Sequence, residues 1–61
     1  MDIERGVVVA KLDDPDMWGT ITAIFPGQGI LKIQSSPESQ EKTGIPSFDV
    51  HVSLVGPHKE K

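Results

Sequence analysis

The sequence predicts an all-β domain, a small barrel of four to five antiparallel strands with a long polar loop near 36–46. Three observations carry this. Short runs rich in β-branched and aromatic residues recur at 6–12, 18–25, 30–35 and 47–52. Clusters of Asp, Pro and Gly separate the first three. No stretch repeats its apolar residues at helical spacing. Closing so short a sheet into a barrel removes the edges it would otherwise expose.

The first run, GVVVAKL (6–12), has apolar groups on both faces, Val7 and Val9 on one, Val8, Ala10 and Leu12 on the other. Such a strand is covered on both sides. DDPDM (13–17) reads as a turn, because Pro15 fixes φ and aspartates cap local N–H groups. WGTITAIF (18–25) is the second strand. Strict alternation places Ile21, Ala23 and Phe25 inward, and Trp18, Thr20, Thr22 and Ile24 outward.

PGQG (26–29) is a hairpin turn and ILKIQS (30–35) the returning strand. Pairing Phe25 with Ile30 would carry Lys32 and Gln34 to the core face. The expected register instead sets Ala23 opposite Leu31 and Ile21 opposite Ile33, with an odd loop or a bulge at Gly29. Outside, Ile24 then faces Ile30.

SPESQEKTGIP (36–46) has a single apolar residue, two prolines and one glycine, which predicts a long mobile loop. The Ser-x-x-Ser spacing at Ser36 offers a helix start as the alternative, but propensity argues for the loop. SFDVHV (47–52) alternates, with Phe48, Val50 and Val52 inward and Asp49 and His51 outward. SLVG (53–56) suits a short 3₁₀ turn leading into a last strand. Residues 1–56 form one domain, and PHKEK (57–61) is expected as a flexible tail.

The strand plan resembles small SH3-like barrels of bacterial and phage proteins, and KOW-type modules, over about residues 5–56. The likeness lies in GVVVAKL, the acidic turn, the Gly19-Thr20-Ile21 entry to the second strand, ILKIQ and FDVHVSLVG. It implies a binding module on a barrel scaffold. A KOW-type module would associate with RNA or DNA, and this is the alternative function.

Composition narrows the choice. The 61 residues carry a net charge of −3, and six basic residues are scattered, which disfavours a phosphate-binding face. There is no cysteine, so disulfides, thiolate metal sites and cysteine nucleophiles drop out. A chain this small buries only about 60% of its unfolded surface, so a partner or self-association is the supplement left open. No apolar run spans a bilayer and the N-terminus does not read as a secretory signal, which together suggest a cytoplasmic protein.

No catalytic set, cofactor motif or metal site emerges. Asp13, Asp14 and Asp16 offer hard oxygen donors but lack the interior glycine and distal glutamate of a calcium loop. Asp49 and His51 share a strand face, yet no nucleophile is placed beside them. PGQG lacks the Lys-Ser/Thr of a phosphate loop. The expectation is a non-enzymatic interaction module or accessory subunit. Its partner is another protein or a second copy. Trp18, Ile24 and Ile30 would form the docking patch, with Asp13, Asp14 and Asp16 at its rim.

Overall fold

A computed structural model describes residues 3–58. Its strands are β1 (Val8–Lys11), β2 (Asp14–Phe25), β3 (Ile30–Ser35), β4 (Ser47–His51) and β5 (Val55–Pro57). One helix, α1 (Pro37–Thr43), joins β3 to β4, and a 3₁₀ turn (Val52–Leu54) joins β4 to β5. The strands form one antiparallel sheet in the order β4-β3-β2-β1-β5. The all-β class is as expected. The sheet's two ends, β4 and β5, are linked through the 3₁₀ turn. Among the described residues no helix is long and apolar enough to cross a membrane.

The core gathers Val9, Ile21, Leu31, Ile33, Val50 and Val55, with Ile3, Val7, Ile24 and Phe48 packed against it. Alternation on β3 is clean: Leu31, Ile33 and Ser35 are buried, Lys32 and Gln34 exposed. Val52, expected inward, instead sits in the 3₁₀ turn and is 40% exposed.

The β2–β3 register departs from strict alternation at one point. Ile21 pairs with Ile33 as expected, but a bulge at Thr22 then sets Ala23 opposite Lys32, Ile24 opposite Leu31 and Phe25 opposite Ile30. Thr22 Oγ1 donates to the Lys32 carbonyl across the bulge (3.2 Å). The extra residue exchanges the faces of everything after it. Ile24 turns in toward the core, Phe25 turns out to 46% exposure, and Lys32 stays exposed. An unbulged strand would bury Ala23 and expose Ile24. The bulge thus brings Ile24 to the core side in place of Ala23 and leaves Phe25 half-exposed beside the turn. The bulge therefore lies at Thr22 rather than at Gly29, whose φ of 68° serves the four-residue turn.

The acidic stretch is also more strand than turn. Only Leu12 and Asp13 turn, and Asp14 already pairs with Lys11. The next β1–β2 pair is Ala10 with Trp18, so Pro15, Asp16 and Met17 bulge away from β1. Proline, with no N–H to leave unpaired, suits that excursion.

Residues 36–46 are not a loop throughout. Ser36 caps α1, its Oγ accepting from Ser39 N–H (3.3 Å), and Pro37 opens the first turn. Gly44 closes the helix with φ 73°, its N–H bonded to the Gln40 carbonyl (2.7 Å). The helix has no apolar stripe because its one buried residue is Ser39, which docks by its hydroxyl. At the C-terminal end Pro57 belongs to β5, and His58 packs onto Trp18. The rest of the expected tail, like residues 1 and 2, lies outside the described residues.

Candidate binding groove

Ser39 is fully buried between α1 and the bulged half of β2. Its Oγ accepts the Trp18 backbone N–H (3.1 Å) and donates to the Asp16 carbonyl. The Trp18 carbonyl in turn accepts Ser36 N–H (3.1 Å), and Thr43 Oγ1 donates to the Ser39 carbonyl (2.9 Å). One serine thereby satisfies two backbone groups of β2 that bond to no strand. These bonds fix the helix against the strand.

The docking sets one face of α1 beside Trp18. Glu38, Glu41 and Lys42 follow at i, i+3 and i+4, so they project together. With Asp16, Trp18 and His58 they line a groove of about 260 Å³. Lys42 Nζ reaches Asp16 Oδ1 at 3.5 Å, an exposed pair of small energetic weight. Three carboxylates thus face one ammonium around a half-buried indole. Ala10, opposite Trp18 on β1, and Gly56, opposite Ala10 on β5, are both small. The Leu12 side chain lies over Gly56, where a Cβ would come 2.7 Å from Leu12 Cδ2. His58 stacks on the indole with ring centroids 3.7 Å apart and planes 5° from parallel.

Gly19 makes this close packing of β2 on β3 feasible. A Cβ there would lie 2.0 Å from the Gln34 carbonyl oxygen. A larger depression, about 570 Å³, follows Pro37, Glu38, Gln40 and Glu41. It has walls from a single helix flank and cannot enclose a ligand. A cleft of about 330 Å³ between the start of α1 and the outer face of β2 and β3 is lined by Thr20, Thr22, Gln34, Ser35, Ser36 and Pro37.

The residues expected to form one patch are dispersed. Trp18 and Asp16 meet in the groove. Asp13 pairs with Lys11 Nζ (3.3 Å), and Asp14 lies in the β1–β2 ladder. Ile24 packs on the core and does not join an outer patch. Ile30 lies between Phe25 and His51 on the sheet's outer face, seven strand residues from Trp18, or roughly 20 Å. His51 accepts Ser53 N–H at Nδ1 (3.1 Å) and caps the 3₁₀ turn, while Asp49 sits opposite Lys32. Among the described residues no three Asp, Glu or His side chains converge as metal ligands.

Sequence reading missed Glu38, Glu41, Lys42 and His58. The bracket of Ser36, Pro37 and Gly44 was the available signal for the first three. No family model matches the chain, and no curated protein or solved structure matches it.

Proposed function

We propose that this chain is a non-enzymatic protein-interaction module, a small SH3-like barrel whose groove at Trp18 receives a basic segment of another protein. The carrying observation is the half-buried indole among Asp16, Glu38 and Glu41. An aromatic face attracts a cation, and the surrounding carboxylates add to that field. The five-stranded antiparallel sheet supports the barrel reading, and a chain without cysteine suits the cytoplasm. Acidic walls and a net charge of −3 disfavour phosphate backbones as ligands. The test is titration with a basic peptide, an acidic peptide and single-stranded oligonucleotides, each followed by isothermal calorimetry. Only the basic peptide should bind, and Trp18→Ala should abolish the interaction. Preferential binding of the oligonucleotides would overturn the reading in favour of a nucleic-acid module.

A further inference from the structure

The imidazole of His58 already occupies the face of Trp18 that a ligand would use. The stack is flat, at 3.7 Å and 5°. A partner's cation must reproduce that geometry to replace it. Arginine does: its guanidinium is planar, delocalised and weakly hydrated, and it lies flat on aromatic rings. It also carries five N–H donors around its edge, where Asp16, Glu38 and Glu41 line the groove. The compact, strongly hydrated ammonium of lysine cannot lie flat.

We infer, resting on the groove reading above, that the partner inserts an arginine, and that His58 is an intramolecular stand-in which the guanidinium displaces from Trp18. The last residue of β5, Pro57, is paired in the sheet opposite Val9. His58 follows it directly, so displacement needs movement only beyond β5. Binding is then weakened by the fraction of molecules in the stacked form. An aromatic pair of ordinary strength favours that form enough to lower apparent affinity by about three- to tenfold.

The experiment uses acetyl-Gly-Arg-Gly-amide and acetyl-Gly-Lys-Gly-amide, titrated into the isotope-labelled full chain. The arginine peptide should bind more tightly than the lysine peptide. His58→Ala should tighten the arginine peptide by about three- to tenfold. In the unaltered chain, the ring-current shift of the His58 ring protons should disappear as the arginine peptide saturates, a readout that needs no variant. Unchanged or weaker binding by His58→Ala, with Trp18→Ala still abolishing it, would overturn the stand-in and leave the groove. Equal affinity for the two peptides would overturn the arginine preference. If Trp18→Ala leaves binding intact, the groove reading itself fails.

Discussion

Ser39 accepts a hydrogen bond from the backbone N–H of Trp18, a residue 21 positions earlier. Its hydroxyl also donates to the Asp16 carbonyl, so one side chain ties the helix to both limbs of the bulge. Replacing Ser39 by alanine removes both bonds and strands two backbone groups. The expected loss is about 2–3 kcal/mol in urea unfolding. Ser35 is the control, because its Oγ is buried with no hydrogen-bond partner among the described residues. Ser35→Ala should therefore leave stability unchanged or raise it.

The bulge at Thr22 makes Ile24 and Ile30 unequal. Ile24 packs on the core, while Ile30 lies on the outer face between Phe25 and His51. Ile24→Ala should cost about 2–3 kcal/mol, and Ile30→Thr less than about 1 kcal/mol. Denaturation midpoints of the two variants compare them directly. Equal, small losses would mean that strict alternation holds after all.

Amide exchange checks the helix. Gln40 N–H bonds to the Ser36 carbonyl (2.8 Å) and Gly44 N–H to the Gln40 carbonyl (2.7 Å). Both should exchange more slowly than the N–H of exposed Gly27 in the β2–β3 turn. Gly44→Ala places a side chain at φ 73° and should destabilise by about 1 kcal/mol. Rapid exchange at Gln40 and Gly44 together would return this segment to a loop.

Gly19→Ala should prevent folding outright. The added Cβ meets backbone, the Gln34 carbonyl at 2.0 Å, and backbone in a paired strand cannot swing aside. Loss of the dispersed amide spectrum is the expected result, and a folded variant would show that β2 and β3 lie further apart.

The strands were legible because their apolar residues alternate and their turns carry Pro, Gly and Asp. The face of Ile24 was not, since a bulge leaves no mark in a run such as Gly19-Thr20-Ile21-Thr22-Ala23. Register was right at Ile21 with Ile33 and changed one residue later. The helix ranks only as the alternative in the sequence for a different reason. Helix reading relies on an apolar stripe, and α1 docks through a hydroxyl, so only its caps at Ser36 and Gly44 betrayed it. Trp18 and Asp16 were legible as neighbours in sequence. Their companions on α1 and at His58 depended on the bulge, the helix and the return of β5 together.

On the proposed reading, charge on α1 beside Trp18 selects the partner. Glu38 and Glu41 are exposed, so the double variant Glu38→Lys, Glu41→Lys should keep the fold. Affinity for an arginine-bearing peptide, followed by Trp18 fluorescence, is the direct measurement. That binding should be lost, and new affinity for an acidic peptide should appear at the same site. Undiminished binding of the arginine peptide by the charge-reversed protein would contradict that reading.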